Sequence, residues 1–496
     1  MPDQPNILVI MTDQQKATSS HLYGNTFCDT PALARLADEG VLFEHAFTPH
    51  PLCVPARVSL WTGQYPHAHG CRRNETLMPA GAEHAFQLWK QAGYHCGLIG
   101  KNHCFDRAED VALFDTWCEV SHGGLPQPGF NKGMEWFRPR EGIRAAHTMR
   151  ADMTPQNPRF GYAVTDFPLG DYATGLIAGQ TTRFLEQHKD EPFALWVSFP
   201  DPHEPWVAPA QYAALFPLEK VALPPWRDDE FGESAPERNR VLYEMLGFTD
   251  DAIEDVYGLL SVYYGMVRFI DDAVGQIIAA LDALDLRKNT IVVFLSDHGD
   301  FMGEHRMQCK GGVFYDCLTR VPLIMSYPGV IPAGKRDDSM ANLVDVVPTL
   351  LQLQGIPVPR AMQGQPLPTV TATEPRDVTF SEYGAGGPPF RMSDLHQMPR
   401  PYGRETLIRS LQWREAEGRR KMARTREWKY VHDPMGDRDE LYHLADDPAE
   451  LNNVVDDGAH RDVVAAMQQR LLRWSVQTED SPPVPLPAAI RYDLHS

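Results

Sequence analysis

Apolar positions along this chain fall into two alternating patterns. Short unbroken apolar runs at 7–11, 94–99, 193–199, 290–295 and 321–325 predict strands buried on both faces. Between them, apolar residues recur at helical spacing. Thr30-Pro31 reads as an N-cap followed by proline in the first turn, Leu33, Leu36 and Ala37 share one face, and Gly40 ends the helix. Further helices are predicted over 83–92, 172–187 and 252–284. Strands alternating with helices over three quarters of the chain define an α/β class: a large mixed, mostly parallel sheet covered on both faces, an α/β/α sandwich. The pattern changes at 364–375, which is rich in Pro, Thr and Gly. A hairpin follows, with strands at 428–431 and 440–444 around Asp433-Pro434-Met435-Gly436. The helix predicted over 460–476 carries Val463, Val464, Met467, Leu471 and Leu472 on one stripe. The expected division is a catalytic domain over 1–372 and a smaller C-terminal α+β domain with an antiparallel sheet over 373–496, ending in a Pro-rich arm at 481–487.

Composition narrows the class of partner. With 46 basic and 66 acidic residues among 496, the formal charge is -20, which disfavours nucleic-acid backbones and anionic membrane surfaces. No apolar run approaches the roughly 18 residues of a membrane span. The start, Met1-Pro2-Asp3-Gln4-Pro5, lacks a basic n-region, and the eight cysteines have no framework spacing. Both features predict a cytoplasmic protein with reduced thiols.

The informative polar residues follow strands. Thr12-Asp13-Gln14, Gly100-Lys101-Asn102-His103, Asp201-Pro202-His203-Glu204 and Ser296-Asp297-His298-Gly299-Asp300 each come directly after an apolar run. Ligand sites of open α/β sheets form outside the carboxyl ends of strands, so parallel neighbours would bring all four clusters to one edge. Cys53-Val54-Pro55-Ala56-Arg57 places a thiol at the start of a helix, where the helix dipole lowers a thiol pKa, with Arg57 one turn on. Asp13, Gln14, Asp297 and His298 offer oxygen donors and one imidazole. That set suits Ca²⁺ first, with Mn²⁺ and Mg²⁺ open, and matches structural zinc poorly. Arg57, Lys101 and Lys310 add fixed positive charge for a small anionic substrate, and His103 and His203 are candidate acid and base, titrating near neutral pH. Asn74 is a candidate substrate contact or a solvated turn residue. Arg72 and Arg73 are candidate contacts for an acidic substrate or plain surface. His305 is expected to support the metal ligands, His67 and His69 to lie at a helix end or loop, and Trp136, Phe137, Trp206 and Trp226 to anchor long loops.

Several of these blocks together resemble the type I sulfatases of the alkaline-phosphatase-like superfamily. Cys53-x-Pro55-x-Arg57 with Gly63-Gln64-Tyr65-Pro66 resembles the formylglycine signature, and Gly100-Lys101-Asn102-His103 the Gly-Lys-x-His block. Ser296-Asp297-His298-Gly299 resembles the metal block, Lys310 the second active-site lysine, and Glu440-Leu441-Tyr442-His443-Leu444 with Asp447-Pro448 and Asn452-Asn453 the C-terminal signature. The resemblance implies that a formylglycine-generating enzyme oxidises Cys53 to formylglycine, whose hydrate attacks sulfur and afterwards expels sulfate. It implies that Arg57 and Lys101 hold this group and that His103 assists it. His203 and Lys310 would bind the sulfate and protonate the leaving oxygen, and Asp13, Gln14, Asp297 and His298 would bind the metal. Gln14 and His298 depart from the common paired aspartate and Asp-Asn, and are similar to the choline-sulfatase and phosphonate monoester hydrolase branch. Phosphonate monoester or phosphodiester hydrolysis on the same site is therefore the alternative. The Pro-rich arm offers a segment for exchange between subunits of a homo-oligomer.

Overall fold

A computed structural model describes residues 4–120, 132–133, 145, 148–149, 161–387, 389–400, 402 and 418–479. Trp136, Phe137 and the arm at 481–487 lie outside the described residues.

An eight-stranded sheet runs through the larger part. Its strands are β1 (Asn6–Thr12), β2 (Val41–Phe47), β3 (His95–Gly100), β4 (Thr116–Glu119), β5 (Phe193–Ser198), β6 (Thr290–Ser296), β7 (Leu323–Ser326) and β8 (Lys335–Asn342), in the order β8-β2-β7-β6-β1-β5-β3-β4. All neighbours are parallel except β7, which is antiparallel to both β6 and β2. Side chains alternate between the two faces. Ile7, Val9 and Met11 pack into one core with Val54, Val58, Phe86, Trp89 and Leu350. Leu8 and Ile10 pack into the other with Leu33, Ile177, Phe184, Ile270 and Ile277. The first face is covered by α2 (Cys53–Thr62), α3 (Ala85–Gln91) and α6 (Val346–Leu353), and the second by α1 (Pro31–Asp38), α4 (Ala173–Gln187) and α5 (Ile253–Ala283). Among the described residues no helix is long and apolar enough to cross a membrane.

A second, antiparallel sheet runs β9 (Thr379–Tyr383), β10 (Arg420–Arg424), β11 (Trp428–His432) and β12 (Glu440–His443), backed by α7 (Arg461–Gln477). Buried ion pairs fasten it to the larger part. Arg238 reaches both Asp433 (3.0 Å) and Glu440 (2.6 Å), and Arg420 joins Asp433 (2.7 Å) and the Gly312 carbonyl (2.9 Å). Glu440 of the Glu440–Leu444 block is thus an anchor between the two sheets.

Two expectations fail here. Leu472 is 65 % exposed, and Trp474 takes its place beside Met467 and Leu471, because the helix turns 100° per residue and carries 474, not 472, onto the face of 467 and 471. Trp206 lies not in a loop but in the strand Trp206–Pro209, fully buried. Trp226 does anchor its segment, packing on Phe248 and under the Arg306 guanidinium.

Candidate active site

Strands β6, β1, β5 and β3 are consecutive and parallel, so the four polar clusters emerge side by side at one edge of the sheet. Two glycines permit the crowding. Gly100 has φ +109°, and a Cβ there would strike the Ser198 carbonyl; a Cβ on Gly299 would strike the Cys317 carbonyl. Gln14 (φ 66°) and His103 (φ 60°) hold left-handed backbone without being glycine, a strain of the kind stored at functional sites.

Helix α2 begins at Cys53, with Leu52 as its N-cap. The Cys53 sulfur lies 3.1 Å from His298 Nε2, 3.4 Å from Lys310 Nζ and 3.6 Å from Asp13 Oδ1. One turn on, Arg57 is wholly buried. Its Nε donates to Asp297 (2.9 Å), Nη2 to Asp13 (3.1 Å), and Nη1 to Ser198 Oγ (2.9 Å) and the Lys101 carbonyl (3.2 Å). Lys101 Nζ also donates to Asp13. Asp297 accepts the backbone N–H groups of Gln14 (3.1 Å) and His298 (2.9 Å). Gln14 accepts from Lys310 Nζ through Oε1 and donates through Nε2 to Glu204 (2.9 Å). Although burial alone would raise it, Lys101, His203, Arg57 and Lys310 hold the Asp13 carboxyl well below the usual range.

The donor set fits a divalent cation. Ligand atoms of Asp13, Cys53, Asp297 and His298 all lie within 4.8 Å of one another and are buried. His298 donates its Nδ1–H to the Gly299 carbonyl (2.8 Å), and burial holds the ring neutral, so Nε2 presents a lone pair to the group. That is the arrangement by which proteins fix the tautomer of a ligating histidine. Gln14 stands at the edge of the group, its Oε1 on the lysine that also touches the Cys53 sulfur.

Two expected titrations are overturned. The Cys53 thiol is pushed up to about 12, not down, because burial and the Asp13 carboxylate outweigh the helix N-terminus and the two lysines. His103 does not titrate near neutral pH. Burial, Lys101 and Arg57 hold its pKa well below the ordinary value, and its buried Nδ1 makes no hydrogen bond among the described residues. His203 donates Nδ1–H to the Glu204 carbonyl (2.7 Å), with the Glu204 carboxylate 3.2 Å away.

Asn74 is half-buried and accepts the Val54 N–H (3.1 Å), capping the helix that Cys53 begins. His305 does not support the metal ligands. It pairs with Glu230 and stacks on Tyr315. His67 and His69 lie in the short helix Pro66–His69, His67 on Glu382 (2.8 Å) and His69 on Ser59 (2.8 Å). All eight cysteines are unbridged. Sequence reasoning missed Ser198, and placed Asp300 in a strand-end cluster without giving it a role. Ser198 is the polar last residue of an apolar strand, which is a readable signal. Asp300 is buried beside Gln14, and burial and Glu204 raise its pKa well above the ordinary range.

A strand edge that gathers two carboxylates, a neutral imidazole and three fixed cations around one side chain defines a hydrolase centre for esters of tetrahedral oxyanions. The sulfatase family model matches residues 5–356, and the chain belongs to the sulfatase family of sulfuric ester hydrolases, with the alkaline-phosphatase-like fold. It is 28 % identical to the choline-sulfatase of Rhizobium meliloti over 96 % of this chain and 88 % of that protein. It is 26 % identical to an arylsulfatase of Clostridium perfringens over 95 % and 94 %. Among solved structures, the phosphonate monoester hydrolase of Agrobacterium radiobacter superposes with a TM-score of 0.76 at 26 % identity, over 96 % of each chain.

Proposed function

We propose that this sulfatase cleaves sulfate esters of small organic, aryl or sugar alcohols at residue 53. The observation that carries this reading is the position of the Cys53 side chain, within 3.6 Å of a neutral imidazole, an ammonium and a carboxylate at the crowded sheet edge. Asp13, Gln14, Asp297 and His298 are the residues to hold a divalent cation. Their oxygen-rich donors favour Ca²⁺ over Mn²⁺ or Mg²⁺, and the cation would neutralise charge on the ester oxygens. Formylglycine, made from Cys53 by a formylglycine-generating enzyme, would supply a nucleophile whose sulfate adduct breaks down by elimination, without attack by water.

The protein's own groups do the rest. Arg57 fixes Asp13 and Asp297 at one distance from residue 53. Lys101 and Lys310 flank the same point and balance negative charge as it builds on the departing oxyanion. His203, held at Nδ1 by the Glu204 carbonyl, is the group to protonate the leaving oxygen. His103 acts as a neutral hydrogen-bonding group, not as a cation.

One observation favours a second reading, phosphonate monoester or phosphodiester hydrolysis. Gln14 and His298 carry the likeness to the phosphonate monoester hydrolase branch, and both ester types are monoanions whose transition states place charge on similar oxygens. The experiment compares kcat/KM for 4-nitrophenyl sulfate and 4-nitrophenyl phenylphosphonate, using protein made beside a formylglycine-generating enzyme. The expected result is a sulfate preference of about tenfold or more, abolished in Cys53→Ala, with peptide mass showing the thiol replaced by an aldehyde. A phosphonate preference installs the second reading. Unimpaired turnover by Cys53→Ala overturns both.

A further inference from the structure

Arg72 and Arg73 are unused by the chemistry above, and the fold brings a third arginine beside them. The segment holding Arg72 and Arg73 is pinned across the first turn of α2 by the bond from Val54 N–H to Asn74, one residue beyond Cys53. From the other side, the Tyr383 ring stacks on His50 (centroids 5.2 Å apart), three residues before Cys53. Tyr383 is paired with Arg420 across β9 and β10, and Gly386 N–H closes the strand ends on the Gly418 carbonyl (2.9 Å). Arg419 therefore emerges where the second sheet abuts the nucleophile helix. His50 is in electrostatic range of both Arg72 and His298, and Arg72 is in range of Arg419.

None of the three guanidinium groups makes a hydrogen bond or ion pair among the described residues. Arg72 is half-buried, and its Nε is cut off from water with no partner. Glu382 attracts Arg72 across space but spends its hydrogen bonds elsewhere: Oε1 on His67 N–H (2.6 Å) and Nδ1 (2.8 Å), Oε2 on Lys421 (3.0 Å). Glu75 of the same segment bonds to none of them. In a chain with twenty more acids than bases, arginines grouped here with no hydrogen-bonded acid among the described residues are a departure. A part-buried guanidinium without an acceptor is costly, and its fork of donors matches the paired oxygens of a carboxylate or sulfate.

We propose that Arg72, Arg73 and Arg419 form a second anion subsite beside the reaction centre. The preferred substrate is then a sulfate ester bearing a further negative group, a carboxylate or a second sulfate, and the arginines hold that group while the first sulfate sits at residue 53. The inference rests on the sulfatase reading and extends it to substrate class.

The test measures kcat/KM for phenyl sulfate, the three carboxyphenyl sulfates and the three benzenediol disulfates. At least one doubly charged ester should exceed phenyl sulfate by about tenfold, the worth of a charge-assisted hydrogen bond. Arg72→Met and Arg419→Met should each bring that ratio close to one, and Arg72→Lys should keep part of it. The carboxylate and disulfate arms say which group the subsite takes. The proposal is overturned if no doubly charged ester exceeds phenyl sulfate, or if Arg72→Met lowers all esters by the same factor. Failure of the wild type to cleave any ester of the panel would instead sink the sulfatase reading itself.

Discussion

Arg57→Met is the sharpest probe of how the centre is held together. Arg57 is fully buried and hydrogen-bonds both Asp13 and Asp297, at 3.1 and 2.9 Å. Without it, among the described residues, Asp297 keeps two backbone N–H donors and Asp13 keeps Lys101. Removing one partner of a buried ion pair leaves an uncompensated charge in a medium that solvates it poorly, at a cost of about 3–5 kcal/mol. The measurement is urea unfolding of chelator-treated protein followed by tryptophan fluorescence, so that no added cation offsets the loss. The structure also fixes the rescue. In Arg57→Met/Asp13→Asn/Asp297→Asn the stranded charges are gone, and most of the lost stability should return. A loss below about 1 kcal/mol in the single variant, or a triple variant no more stable than the single, would refute the argument that Arg57 compensates two buried charges at the centre.

Asp297→Asn should lose bound metal and sulfatase turnover together while circular dichroism is unchanged. Metal is counted by plasma mass spectrometry, and full stoichiometry in an inactive variant removes Asp297 from the ligand set. Asp271 tests electrostatics far from the site. It accepts the N–H groups of Ala32 (3.0 Å) and Leu33 (2.9 Å) at the start of α1, and burial raises its carboxyl from 3.8 to about 6. A raised folded-state value means that the protonated form favours the fold, so this contribution is full below pH 3.8 and is lost as pH rises through 6. Relative to Asp271→Asn, which does not titrate, the wild type should lose about 3 kcal/mol between pH 4 and pH 7. A stability gap that stays constant across that range contradicts the assignment.

Much of the architecture was legible because its central strands are buried on both faces. Such strands read as unbroken apolar runs, as β1 (NILVIMT) and β6 (TIVVFLS) do. The positions of the candidate site residues followed from the same runs, since the polar residue that ends a buried strand marks the sheet edge. The other strands were hidden for a physical reason. β8 (KRDDSMAN) reads as a charged turn, yet it pairs along the sheet border, where Arg336 reaches across to Glu44 of β2 (2.6 Å). β10 (RKMAR) is masked by arginines that are buried because Arg420 pairs with Asp433 and reaches the Gly312 carbonyl, and Arg424 pairs with Asp316 of the larger part. Edge and interface strands owe their place to tertiary partners, which local patterning does not record. The same limit governs the titrations. A helix N-terminus is visible in the sequence around Cys53, but the desolvation that reverses its effect is a property of the assembled site.

The structure also gives a reason for the amide at position 14. Gln14 is wedged between a cation and an anion, accepting from Lys310 and donating to Glu204. A carboxylate there satisfies the first contact and repels the second, because an ionised acid has no hydrogen to donate. It would also join Asp13, Glu204, Asp297 and the buried Asp300 within one small volume, where Lys310 already serves Gln14 and the Cys53 side chain. Only a group that is donor and acceptor at once keeps both neighbours satisfied. Gln14 and Glu204 thus form one unit, and Glu204 in turn holds His203 through its carbonyl, with its carboxylate 3.2 Å away. The amide that departs from the common sulfatase pattern therefore links the buried carboxylate–imidazole group to His203, the proposed acid, and a carboxylate at position 14 would disturb both ends of that link.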